Sequence, residues 1–127
     1  MIRSLESVVL FSENAQNLAK FYEGKVGLEV GEEGEGEDGS KMFELKVGSG
    51  PSLYIMDHSE VTGKNQDPSR IIFNLEVDDI EKEAKRLDET GVKKTKDVYH
   101  MEGYGLISTF EDVDGNYFQL VQVKPND

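Results

Sequence analysis

The residues that could do chemistry in this chain are few. Its two histidines, His58 and His100, share no i, i+4 or similar spacing, so they form no helical metal-ligand pair, and each reads as a surface or pocket-rim residue. No cysteine is present, which excludes disulfide scaffolds, thiolate zinc sites and cysteine nucleophiles. Serine and histidine occur without the setting of a nucleophile elbow. The glycine-rich run Gly34-Glu35-Gly36-Glu37-Asp38-Gly39 carries the wrong charge to cradle a phosphate. Asn65-Gln66-Asp67 is not a glycosylation sequon. Glu76 and Glu111 remain as candidate bases, set against the simpler reading of strand-end acids in water.

Around these residues lies a chain of 127 residues with 36% apolar and 31% charged side chains, enough for one compact domain or two small modules. No run approaches the ~18–20 apolar residues of a membrane span, and the N-terminus lacks a signal-peptide apolar region. A cytoplasmic location is expected. The 26 acidic residues outnumber the 14 basic ones, giving a net charge of −12. A field of that sign repels nucleic-acid backbones and anionic membranes, so neither is an expected partner.

The elements that must position any site come in two similar series. Leu5–Phe11 reads as a buried strand, and Asn14 as the N-cap of a helix whose Leu18, Phe21 and Tyr22 share one face. Gly24 and Gly27 end that helix, Gly27 being the better left-handed cap. A second strand begins at Leu28-Glu29-Val30. Residues 31–41 read as a polar connection too charged to pack, the tip of a long hairpin. Met42–Val47 alternates, with Phe43, Leu45 and Val47 on one face, and Ser52–Met56 is a fourth strand.

After a polar linker the plan restarts. Ile71–Val77 is a strand, Asp78 and Asp79 cap a helix carrying Ile80, Ala84 and Leu87, and Gly91 closes it. Strands are predicted near Val92–Lys94, Val98–Met101, Leu106–Phe110 and Tyr117–Val123, with Asp114-Gly115 as the clearest hairpin signal. A shift of 65 positions lays Gly50-Pro51-Ser52-Leu53-Tyr54-Ile55 on Gly115-Asn116-Tyr117-Phe118-Gln119-Leu120. An internal duplication of a β-α-β-β-β module is the simplest account: module 1 at about 1–57, linker at about 58–69, module 2 at about 70–127. The fold class is α+β.

Two stretches carry a family resemblance. Asn17-Leu18-Ala19-Lys20-Phe21-Tyr22-Glu23 followed by Val26-Gly27-Leu28 looks like the first helix and exit of the vicinal oxygen chelate superfamily. That superfamily groups glyoxalase I, bleomycin-resistance proteins and extradiol dioxygenases. Phe110-Glu111-Asp112-Val113-Asp114-Gly115-Asn116-Tyr117-Phe118-Gln119-Leu120 is similar to its last hairpin, with Val113 where a proline is common. The resemblance implies two open, curved sheets with helices outside, enclosing a cleft. By strand parity Ser7, Val9, Phe11, Tyr54, Met56, Ile72, Asn74, Glu76, Tyr117, Gln119 and Val121 face its concave side, while Val8 and Leu10 pack toward the helix. Tyr99, Met101 and Tyr104 fall near the second module's open edge.

Catalytic members of the superfamily hold a divalent metal with one side chain from each of four strands. Carried onto this sequence, those positions are Ser7, Tyr54, Ile72 and Gln119. Isoleucine has no lone pair, neutral hydroxyls are poor ligands, and Gln119 alone offers a carbonyl oxygen. No metal and no other cofactor is therefore expected. Glu6 reaches the cleft only through a register slip that turns Val8 and Leu10 away from the helix, at about 1.5–3 kcal/mol for each exposed side chain. The expected function is a metal-free protein, nearest in character to bleomycin-resistance proteins, that binds a small organic molecule along Ser7, Val9, Phe11, Tyr54, Met56, Ile72, Asn74, Tyr117 and Gln119. The acidic balance favours a cationic ligand, and the resemblance implies a homodimer. Two rivals stay open: a metal-dependent lyase, isomerase or dioxygenase with nonstandard ligands, and an interaction module whose cleft is filled by its own side chains.

Overall fold

The computed structural model describes residues 1–124, arranged as two compact units, Met1–Gly63 and Lys64 onward. Unit 1 runs β1 (Ser7–Ser12), α1 (Ala15–Phe21), a π-turn (Tyr22–Val26), β2 (Glu29–Glu35), β3 (Lys41–Lys46) and β4 (Ser52–Asp57). Unit 2 runs β5 (Phe73–Glu76), α2 (Ile80–Glu89), β6 (Lys93–Met101), β7 (Gly105–Glu111) and β8 (Tyr117–Val123). The sheets have the same topology, β1-β4-β3-β2 and β5-β8-β7-β6, each with one parallel pair followed by antiparallel pairs. Two α+β modules of the β-α-β-β-β type are thus present.

Capping explains where the helices start. The Asn14 side chain accepts from the Asn17 N–H at 3.1 Å, and Asp79 accepts from the Lys82 N–H at 3.2 Å. Leu18 and Tyr22 on the first helical segment, and Ile80 and Leu87 on α2, are fully buried. Gly24 does not end the first helix. The chain widens there into the π-turn, and Gly27 ends it at φ 94°, its N–H and that of Leu28 both donating to the Tyr22 carbonyl.

A second brace occurs within each unit. The Ala15 N–H donates to Asp57 Oδ1 at 2.8 Å, and the Ile80 N–H donates to Gln122 Oε1 at 2.9 Å. The helix N–H groups lie 65 positions apart, and so do the two acceptors. In each unit a side chain from the strand parallel to the first thus supplies an acceptor that the helix cannot supply itself. This three-dimensional equivalence supports the duplication more firmly than sequence identity does.

Four further sequence expectations need correction. Residues 31–35 are not a loop: β2 continues to Glu35 and pairs with β3 through Gly34↔Met42 and Glu35↔Lys41, after a register shift between Val30 and Glu33. Backbone pairing needs no apolar side chains, so a charged edge strand escapes a hydropathy reading. The two strands expected at Val92–Lys94 and Val98–Met101 are one, β6, interrupted by register shifts around Lys96. β5 begins at Phe73, leaving Ile71 and Ile72 outside it. The Asp114-Gly115 hairpin is real, but Gly115 alone has positive φ (79°), so it is not a two-residue primed turn. Asp112 builds it instead, accepting from the N–H groups of Asp114 and Asn116 and from the Asn116 amide.

Candidate functional site

In unit 1 the alternation of the strands separates two faces. Phe43, Leu45, Leu53 and Ile55 are buried on the side of α1. The opposite, open face carries Ser7, Val9 and Phe11 of β1, directly paired with Ser52, Tyr54 and Met56 of β4. Beyond them Met42 pairs with Met56, and Glu44 with Tyr54. Five of the expected site residues, Ser7, Val9, Phe11, Tyr54 and Met56, therefore share this face. Val9 and Phe11 are 40% and 45% exposed, an unusual placement for a valine and a phenylalanine at the centre of a strand. His58, just past β4, sets its ring edge-on to Phe11 at 5.0 Å and accepts the Glu60 N–H at Nδ1.

Glu44 was not among the expected site residues, and it is the most organised polar group on the face. Its Oε2 accepts from the Ser52 hydroxyl at 2.8 Å, and its Oε1 from the Glu32 N–H at 3.3 Å. Gly31 lies beneath it: a β-carbon there would stand 2.6 Å from Oε1. The Ser52 hydroxyl and the Glu32 N–H, with help from Lys46, hold the Glu44 carboxyl below its ordinary value. The Glu44 charge in turn pushes the Tyr54 phenol above its ordinary value, aided by Glu6 and Glu32. One signal was available in the sequence: if Phe43 and Leu45 face the core, Glu44 must face away beside Tyr54.

Unit 2 places Asn74 opposite Gln119, and Tyr117 opposite Glu111, on the face away from Phe118 and Leu120. The Gln119 amide donates to the Thr109 hydroxyl at 3.1 Å. Glu76 is exposed, and Glu111 lies 3.7 Å from the Lys93 ammonium. His100 is exposed on β6. The edge residue Tyr99 is covered by the Lys96 ammonium, 4.1 Å from its ring centre.

A metal is implied by part of the fold family, and the donor set does not fit one. Ile72 contributes no donor atom and lies outside β5. Ser7 and Tyr54 offer neutral hydroxyls, the second beside an ionised Glu44, and Gln119 offers one amide oxygen. Among the described residues, no three His, Asp or Glu side chains are grouped to hold a metal ion.

A family model described as the Glyoxalase/Bleomycin resistance protein/Dioxygenase superfamily matches residues 4–120. The chain belongs to that superfamily. The Bacillus subtilis (strain 168) protein YetH, described as uncharacterized, is 27% identical over 121 residues, covering 94% of this chain and 98% of YetH. Among solved structures, the trypanothione-dependent glyoxalase I of Leishmania major superposes with TM-score 0.75 at 20% identity, covering 95% of this chain and 87% of that one. TnmS3, an antibiotic binding protein from Streptomyces sp. CB03234, superposes with TM-score 0.74 at 20% identity, covering 97% and 98% of the two chains. At these identities the superpositions establish the shared superfamily fold. An enzyme and a binder both use it, so the choice between them falls to the chemistry of the faces. Among the described residues no helix is long and apolar enough to cross a membrane.

Proposed function

We propose that this superfamily member binds a small, flat organic molecule without a resident metal and without chemical conversion. The observation that carries the reading is the exposed apolar strip of Val9 and Phe11, bordered by Tyr54 and Met56 and by the polar Ser7 and Glu44. Apolar walls with a few orienting polar groups are what organic ligands need. The antibiotic binding protein TnmS3 supports the reading as a precedent on the same fold. Asn74, Tyr117 and Gln119 are proposed as a second binding surface in unit 2, with Ile72 beside it. The reading extends to a homodimer in the cytoplasm and to ligand sequestration as the biological outcome. With a net charge of −12, nucleic acid is a poor partner.

Calorimetry and thermal shift against a panel of aromatic cations and glycopeptide drugs test it. Binding tighter than ~1 mM, about −4 kcal/mol, is the expected result. Elemental analysis of protein purified without a metal-affinity tag addresses the enzymatic rival. Stoichiometric zinc, nickel or iron, with an activity abolished by chelator, would replace this reading. Light scattering is expected to give twice the 14.2 kDa chain mass.

A further inference from the structure

We infer that Glu44 is the anchor for a cationic nitrogen, an ammonium or amidinium group, carried by an aromatic ligand lying on Val9, Phe11 and Tyr54. The inference rests on the binding reading above and adds the ligand's charge and the residue that reads it.

Several features set Glu44 apart from the acids of the neighbouring edge strand. It is half-buried in the middle strands of its sheet, whereas Glu32, Glu33 and Glu35 are exposed on the edge strand β2. Its two oxygens are held by donors from different strands, Ser52 of β4 and Glu32 of β2, so the carboxylate is fixed before any ligand arrives. The bare backbone of Gly31 makes room for that position, since a side chain there would meet Oε1. A carboxylate offers about four lone-pair sites, so these two bonds, with the Tyr54 hydroxyl as a third and weaker donor, leave acceptor capacity unused.

Lys46 runs beside it and acts on its charge. Among the described residues no lysine, arginine or histidine nitrogen lies within 4.0 Å of the Glu44 carboxylate, although Lys46 stands two residues along the same strand. The negative potential is concentrated at the aromatic surface: Glu44, Glu6 and Glu32 all act on the Tyr54 hydroxyl. A ligand that pairs a flat ring with a positive nitrogen satisfies both features at once. A neutral ring gains the apolar contact alone, and an anion is repelled.

A purely structural Glu44, tying β3 to β4 through Ser52, is the competing account, and selectivity separates the two. The probes are 2-naphthylmethylammonium and its neutral counterpart 2-naphthylmethanol, titrated into the full chain at pH 7 and followed by amide chemical shifts and calorimetry. The ammonium is expected to bind about tenfold more tightly than the alcohol, as one charge-assisted contact provides. Shifts should centre on Val9, Phe11, Glu44 and Tyr54. In Glu44→Gln the preference should vanish, the ammonium falling to within about twofold of the alcohol measured on the same variant. Glu44→Asp, which keeps the charge one methylene further back, should lose part of the preference and serves if the glutamine variant folds poorly. A preference unchanged in both variants, or absent in the native chain while the alcohol still binds, overturns the anchor and leaves the binding reading standing. Neither probe binding, with no shifts on this face, overturns both.

Discussion

On the open face of unit 1, the half-exposed Val9 and Phe11 share a surface with the ionised Glu44, Tyr54 lying between Val9 and the carboxylate. On the equivalent face of unit 2, Ile107, Thr109 and Val121 are buried, and Gln119 directs its amide to Thr109. Yet the helix-facing sides of the two sheets keep the same design, down to the acceptors at Asp57 and Gln122. The difference shows where a repeated β-α-β-β-β module is free to change. Helix-side positions are fixed by packing and by the backbone groups they must satisfy. Open-face positions answer only to whatever meets them, and there the two modules differ: one surface offers a charge, and on the other the Gln119 amide is held by Thr109.

The comparison can be broken first in the cores. Leu18 of α1 and Leu87 of α2 are both fully buried, so Leu18→Ala and Leu87→Ala should each cost about 2–5 kcal/mol in urea unfolding. A cost near zero in one unit would show that its helix is not a structural equal of the other. The braces come next. Asp57 also accepts the Lys41 N–H at 2.8 Å, a bond that Gln122 is not seen to match. Asp57→Ala therefore strands two backbone donors, one of them on a fully buried residue, for about 2–4 kcal/mol, and Gln122→Ala strands one, for about 1–2 kcal/mol. Equal costs would mean that the strand β3 contact adds nothing.

Smaller effects sharpen the contrast between the open faces. Removing the Ser52 hydroxyl in Ser52→Ala should move the Glu44 carboxyl up toward its ordinary value of 4.5, read by carbon NMR titration. The sign for stability follows. Because folding lowers this carboxyl, its contribution is fully present above the unfolded value and fades as pH falls through the folded one. Ser52→Ala should shrink that acid-side loss. Reciprocally, Glu44→Gln should bring the Tyr54 phenol down toward 10.0 in an ultraviolet titration. No movement of Tyr54 would mean that the two groups do not interact in solution.

Much of this architecture was legible in the residues. Asn14, Gly27, Asp79 and Gly91 mark the helix ends through chemistry local to each position, and strict alternation in Met42–Val47 and Ser52–Met56 assigned faces that the structure shows. Parity placed Ser7, Val9, Phe11, Tyr54 and Met56 together because period-two patterns survive any tertiary context. Glu44 was missed for a different reason. The chain has 26 acids, and what distinguishes this one is the company of Ser52, Gly31 and the Glu32 N–H, which depends on strand register and on the shift between Val30 and Glu33. Register is a property of pairing, invisible in a single strand. The extent of β2 and the continuity of β6 were hidden likewise, since edge strands are held by backbone bonds while their side chains read as loop.

Asp57 joins three stretches of chain: one oxygen holds the first residue of α1, the other the first residue of β3, and its own backbone closes β4. Fraying at any of the three loosens the grip on the other two. The amide hydrogens of Ala15 and Lys41 should accordingly exchange with deuterium at matched rates, as a single opening event, although one begins a helix and the other a strand.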